Sequence, residues 1–349
     1  MESTHIQQLQ AWLEQETQQP VVLHETHISW VLLTPTLTYK IKKPVRFDFL
    51  DFTDLETRHE LCRRELRLNQ RLAPEVYLAV TPVVSREGTV QLSDEGTCLD
   101  YAVVMKTLDN NRLLSRRLAE GTVTPDFIRK LAVQLAVFHE NAEVVQHKSK
   151  MERMKADLRE LEEISAWLGS NIHAYWQRSV GEWMELAHWV LDHFSGQMER
   201  RLEQGYYRDG HGDLHAGNIF YYEDEPVVFD CLEFNDAFRQ IDVLNDIAFL
   251  CMDLDRYQQP ELRKLFLDTY VDYFPVFSAP EDLILFKYYL FNRACIRLKV
   301  LSLKAMAAPE TTPGELREIE QYARLTERYA AQLHTLIDHY VTYELEKIP

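Results

Sequence analysis

His211-Gly212-Asp213-Leu214-His215-Ala216-Gly217-Asn218, followed shortly by Val227-Val228-Phe229-Asp230, is the stretch on which the reading of this chain turns. Between the two segments, Ile219-Phe220-Tyr221-Tyr222 and Pro226-Val227-Val228-Phe229 read as two short strands joined at Glu223-Asp224-Glu225. A hairpin of that length returns Asp230 towards Asn218, so a carboxylate and an amide oxygen converge as two ligands of one cation require. Asp213 then supplies a third oxygen group nearby. Moving a phosphoryl group needs this set: a carboxylate beside the attacking hydroxyl, and two oxygen ligands that hold magnesium on nucleotide phosphates.

Asp213 and Asn218 are separated by the same interval as the base and the metal-binding amide in the kinase pattern H-R-D-x-x-x-x-N, with Gly212 in place of the arginine. Asp230 takes the place of the DFG aspartate. His-Gly-Asp-Leu-His-x-x-Asn resembles the catalytic loop of the aminoglycoside phosphotransferase and choline kinase branch of the protein-kinase-like fold. That resemblance implies an α+β, bilobal protein-kinase-like fold, with a small β-rich amino-terminal lobe (1–108) that binds nucleotide. A larger, mainly helical carboxy-terminal lobe (109–349) would carry the catalytic loop and the acceptor site. It further implies ATP and Mg²⁺ as cofactors, Asp213 as the group that orients and deprotonates the acceptor hydroxyl, and Asn218 and Asp230 as metal ligands.

Outward from this centre the pattern agrees with such a fold. Ile6, Leu9, Trp12 and Leu13 fall at helical spacing. The runs 21–26, 30–33 and 37–42 read as an antiparallel meander, and the third strand ends in lysines. In a kinase amino-terminal lobe such a lysine serves the nucleotide phosphates, and a glutamate on the next helix holds it. Glu65, on a helix expected from about Leu55 to Leu72, is the candidate partner. Lys40 and Lys42 share a strand face and Lys43 points away, because side chains alternate. Alternation leaves Lys40 and Lys42 as alternatives; the Tyr-Lys-Ile setting resembles the family's strand end and favours Lys40. Strands at 76–80, 90–92 and 100–105 follow, the last running into the segment between lobes. The resemblance places the adenine edge there, against backbone groups of Met105 to Thr107. No G-x-G-x-x-G loop is present, so the phosphates are expected under Glu25-Thr26-His27-Ile28-Ser29.

Beyond Asn111 helical patterns dominate, at 113–119, 125–140, 151–168, 172–204, 239–252, 261–273, 283–306 and 313–343. His211 is expected to hydrogen-bond backbone near Asp230, and His215 to be a wall or loop residue. Glu233 is expected to face the cleft in a scaffold role. Asp242 and Asp246 are expected either to pin the catalytic loop or to form a solvated helix face.

Composition narrows the function classes. The chain has 349 residues, 46% hydrophobic, enough for a substantial core, with no apolar run near the roughly eighteen residues that span a bilayer. The amino terminus lacks a signal-peptide hydrophobic region, so a cytoplasmic location is expected. A formal charge of −17 disfavours nucleic acid and anionic membrane as partners. Five scattered cysteines suggest reduced, buried thiols. No P-loop pattern G-x-x-x-x-G-K-[ST] occurs.

Phe229-Asp230-Cys231-Leu232-Glu233-Phe234-Asn235-Asp236, with Tyr39-Lys40-Ile41-Lys42-Lys43-Pro44 and Phe49-Leu50-Asp51, is similar to an uncharacterised bacterial subgroup of aminoglycoside-phosphotransferase-like proteins, some of which continue into a P-loop kinase domain. The expected activity is ATP- and Mg-dependent transfer of the γ-phosphate to a hydroxyl of a small-molecule acceptor. Its rivals are a nucleotide-binding regulatory pseudokinase, against which the retained Asp213, Asn218 and Asp230 argue, and an AMP transferase on the same fold.

Overall fold

Alternation along the third strand organises the amino-terminal part of the computed structural model, which describes residues 1–47, 50–146 and 159–346. Strands β1 (Val22–Glu25), β2 (Ser29–Leu33), β3 (Leu37–Lys42), β6 (Tyr77–Arg86), β7 (Thr89–Leu92) and β8 (Thr97–Lys106) form a six-stranded antiparallel sheet in the order β1-β2-β3-β8-β6-β7. Two short strands, β4 (Arg46–Phe47) and β5 (Leu50–Asp51), pair with each other between β3 and the next helix. Helix α1 (Ser3–Thr17) covers one face of the sheet, burying Ile6, Leu9 and Leu13 against Trp30, Leu32 and Ile41. Helix α2 (Leu55–Asn69), whose first turn is capped by Asp54 accepting from Thr57 N–H, lies on the other face beside Val103 and Met105. Ile41 therefore points to α1, while Lys40 and Lys42 point to α2.

The chain packs as two compact units. One comprises Met1–Arg117, His211–Asp213 and Gly217–Arg239; the other comprises Leu118–Gly210, Leu214–Ala216 and Gln240–Pro349. The first unit thus contains the sheet and the hairpin of β10 (Ile219–Tyr222) and β11 (Glu225–Val228), which follows the short strand β9 (Tyr207–Asp209) of the second unit. The hairpin loop is two residues, Glu223 and Asp224, both with positive φ, so Glu225 belongs to the strand and not to the turn as its composition suggested. This is the backbone that a tight hairpin with native twist requires.

The second unit is mainly helical. Its α3 start, Leu114–Ala119, straddles the division; α4 (Pro125–Asn141), α5 (Leu161–Asn171), α6 (Ala174–His193) and α7 (Ser195–Glu203) follow. After the short α8 (Asp236–Arg239) of the first unit come β12 (Gln240–Asp242), α9 (Val243–Arg256), α10 (Pro260–Tyr273), α11 (Pro280–Ala307) and α12 (Pro313–Glu346). The run expected as one helix over 172–204 is two, broken at Phe194, just before Ser195-Gly196. Residues 151–158 of another expected helix lie outside the described residues. Helix α11 buries Leu285, Tyr288, Tyr289, Leu290 and Phe291, apolar groups on nearly every side, as a central helix must. Among the described residues no helix is long and apolar enough to cross a membrane.

Candidate active site

The hairpin converts sequence spacing into proximity. Ile219 pairs with Val228, and the ladder continues one step further because Phe229 N–H donates to Asn218 O at 3.0 Å. Asp230 is then the first residue beyond the ladder, beside Asn218. Its φ of 63° is left-handed, and its N–H donates to the buried Tyr77 hydroxyl at 3.2 Å. The next residues are also anchored: Cys231 N–H donates to Asn69 Oδ1 at 2.8 Å, and Leu232 N–H to His211 O at 3.2 Å.

On the other side of the hairpin, Gly212 has φ of 84°, and a Cβ there would stand 2.8 Å from Phe238 O. Glycine is needed at this position for both reasons. His211 is fully buried; its Nδ1 accepts from Asp213 N–H, so its Nε2–H donates to Phe229 O at 3.0 Å. That is the backbone role near Asp230 expected of it. The Asn218 amide nitrogen donates to both Asp213 O and Asp213 Oδ2 at 3.0 Å. Spending the nitrogen on Asp213 fixes the orientation of the amide.

Lys40 Nζ bridges Asp230 Oδ1 at 2.7 Å and Glu65 Oε1 at 2.8 Å. Lys42 Nζ takes the other oxygen of Glu65, Oε2, at 2.6 Å, and also contacts Glu233. Glu65 is wholly buried; burial would raise its carboxyl, but Lys40 and Lys42 together bring it down to about 2. Burial depresses both ammonium groups, and the carboxylates outweigh it, Asp230 and Glu65 at Lys40, Glu233 and Glu65 at Lys42, so both lysines stay charged. Glu233 moves the opposite way: burial, against Lys42, raises its carboxyl. Lys43 stands over the Trp30 ring on the α1 face and bonds Glu25 and Thr26 O.

A cavity of about 470 Å³, formed entirely by residues of the first unit, has Lys40, Asp213, Asp230 and Glu233 among its lining. Val31, Leu33, Val76, Met105, Leu108 and Phe229 supply its apolar walls. The structure thus brings Asp213, Asp230, Lys40 and Met105 to one space, with Asn218 bonded to Asp213. Lys42 is 1% exposed and does not reach it; of the two lysines that share a strand face, only Lys40 does. Thr107 is directed elsewhere. Its hydroxyl meets Thr38 Oγ1 and donates to Thr34 O, both at 2.9 Å, and its N–H is spent on Thr36 O. Lys106 N–H is likewise spent, on Val76 O. In the 25–29 turn the Thr26 hydroxyl accepts from Ser29 N–H at 2.9 Å, while Ser29 Oγ is buried, unpartnered and on the cavity wall.

The second unit shows what sequence reading missed. Asp242 and Asp246 are not a solvated face: Asp242 is buried against Arg201 at 2.6 Å and caps α9, and Asp246 is buried against His139 at 3.2 Å. Asp253, seven residues beyond Asp246 on the same helix face, accepts from Ala216 N–H at 2.9 Å and so holds the middle of the catalytic-loop motif. An aspartate directly after the apolar run Phe249-Leu250-Cys251-Met252 was the available signal. His215 lies against Phe249, ring centroids 5.1 Å apart.

The family model for the phosphotransferase enzyme family (APH) matches residues 38–279. The chain belongs to that family. Its match includes both lysines, Glu65 and the whole 211–230 motif. Among curated proteins, an uncharacterised protein of Mycobacterium tuberculosis is 32% identical over 313 residues, 87% of this chain; the chain spans 59% of that protein's length. Among solved structures, choline kinase of Cryptosporidium parvum superposes with a TM-score of 0.54 at 14% identity, covering 97% of this chain and 94% of that one. Amicoumacin kinase, solved in complex with AMP-PNP, Ca²⁺ and Ami, gives 0.51 at 14% identity, covering 96% of this chain and 100% of that one. At such identities the likeness establishes the fold: this phosphotransferase-family chain has the protein-kinase-like architecture of these small-molecule kinases.

Proposed function

We propose that the chain transfers the γ-phosphate of ATP, as its magnesium complex, to a hydroxyl group of a small molecule. The observation that carries this reading is the convergence of Lys40, Asp213 and Asp230 on one cavity with the Asn218 amide locked onto Asp213. Among the described residues no three His, Cys, Asp or Glu side chains are arranged to hold a metal by themselves. That suits magnesium carried on phosphates, which uses one or two protein oxygens and keeps water and phosphate for the rest of its shell. Asn218 and Asp230 fit as those ligands, and Asp230, 41% exposed at its side chain, exchanges its Lys40 contact for the cation. The bound cation supplies charge neutralisation on the phosphates. Lys40 contributes a second positive charge to them, held in place by Glu65, and the unpartnered Ser29 hydroxyl offers a donor on the cavity wall. Asp213 accepts the proton of the attacking hydroxyl, and its fixed hydrogen bond to Asn218 couples base and metal ligand into one rigid unit. The apolar wall that includes Met105 and Leu108 takes the base.

Incubation with γ-labelled ATP, magnesium and a fractionated metabolite extract tests this proposal. It requires label to appear on a small molecule that gains one phosphoryl group. Gain of a nucleotidyl group would replace phosphoryl with AMP transfer, and ATP left intact on prolonged incubation with every fraction would leave a nucleotide-binding protein without transfer.

A further inference from the structure

The site holds one lysine more than phosphate binding uses. Lys42 is buried away from the cavity, yet it is charged and sits between two buried carboxylates, Glu65 and Glu233. We infer that Lys42 and Glu233 form a positioning clamp that sets the Asp230 segment against helix α2, so that Asp230 stays in place for the cation when Lys40 turns to the nucleotide. This inference rests on the proposed function.

The geometry argues for it in three steps. First, the two oxygens of Glu65 are divided, Oε1 to Lys40 and Oε2 to Lys42, so Lys42 fixes the carboxylate plane from which Lys40 is held. Secondly, Asp230 sits in a left-handed backbone conformation that needs support from its surroundings, and its carboxylate is held by Lys40. That contact is the one a bound metal–nucleotide replaces. Thirdly, among the anchors that remain around Asp230 are Tyr77 at its own N–H, Asn69 at Cys231, and, three residues on, Glu233 through Lys42 to Glu65. Asn69 and Glu65 lie one helical turn apart on α2, so the segment is tied to one face of one helix. Burying an ion pair costs desolvation that an apolar pair avoids, so stability alone does not call for one here.

The test is calorimetric titration of ATP with and without magnesium, on wild type, Glu233→Gln, Lys42→Met and the double variant Lys42→Met/Glu233→Leu, with thermal melts alongside. Outer contacts that orient metal ligands commonly contribute about tenfold to a hundredfold in metal affinity. All three variants are therefore expected to lose about tenfold or more of the magnesium-dependent gain in ATP affinity. The double variant removes both charges and keeps a filled interior, so it folds even if Lys42→Met does not. A double variant with the full magnesium-dependent gain would reduce the clamp to packing and overturn the inference. Loss in Glu233→Gln with full or stronger gain in Lys42→Met would also overturn it, making Glu233 a metal ligand. If wild type itself shows no magnesium-dependent gain, the proposed function fails, and the clamp with it.

Discussion

Replacing each of the two lysines on β3 separates binding from stability. In Lys42→Ala, Glu233, 4% exposed, loses the lysine that faces it, and Glu65, wholly buried, keeps only Lys40. Breaking a buried pair by removing one partner typically costs about 3–5 kcal/mol, because the other charge stays out of water. In Lys40→Ala the consequences are milder: Glu65 retains Lys42, and Asp230 is 41% exposed at its side chain, so the loss is that of a half-exposed pair, about 1 kcal/mol or less. Nucleotide binding reverses the order. Lys40 lines the cavity, and a charge-assisted hydrogen bond contributes about 1.5–3 kcal/mol, so Lys40→Ala weakens ATP binding by about tenfold to a hundredfold. Lys43→Ala, whose amine serves Glu25 and the 25–29 turn, has a much smaller effect. Urea unfolding followed by fluorescence gives the stabilities, and metal-free titration gives the affinities. A Lys42→Ala protein as stable as wild type, or one that binds metal-free ATP more weakly than Lys40→Ala, would refute the reasoning.

Three further outcomes follow from the same geometry. Asp213→Asn retains ATP–magnesium affinity but loses about a hundred- to ten-thousand-fold in transfer rate, as removal of a positioned base does; single-turnover rates equal to wild type, once an acceptor is in hand, would remove Asp213 from the chemistry. Gly212→Ala is destabilised by about 1–3 kcal/mol, because a Cβ meets the Phe238 carbonyl in a left-handed backbone; an unchanged urea midpoint would contradict that placement. Glu65 has a folded carboxyl value of about 2 against an ordinary 4.5, so its contribution is present above pH 4.5 and is lost as pH falls from there towards 2. Glu65→Gln should therefore show a flatter acid limb than wild type in stability measured against pH, and an identical slope would count against the buried pairing.

The centre of the site was legible because it is local. A two-residue turn makes the distance from Asn218 to Asp230 a property of the sequence, and the strand period puts Lys40 and Lys42 on one face opposite Glu65. Which of those lysines lines the cavity was not legible from alternation, since it depends on Glu233, 191 residues away along the chain from Lys42. The side chain and N–H of Thr107 turn from the cavity for a similar reason: β8 ends one residue earlier, and the chain there is turned by bonds to Thr34, Thr36 and Thr38. The burial of Asp242 and Asp246 likewise comes from Arg201 and His139, on helices whose packing no local pattern announces.

The most direct test of the central claim is the magnesium dependence of ATP binding in wild type and Asp230→Ala. The account predicts that magnesium strengthens ATP binding to wild type and that Asp230→Ala abolishes this gain while remaining folded, since Lys40 keeps Glu65 as its partner. A folded Asp230→Ala protein with an undiminished magnesium-dependent gain would contradict it.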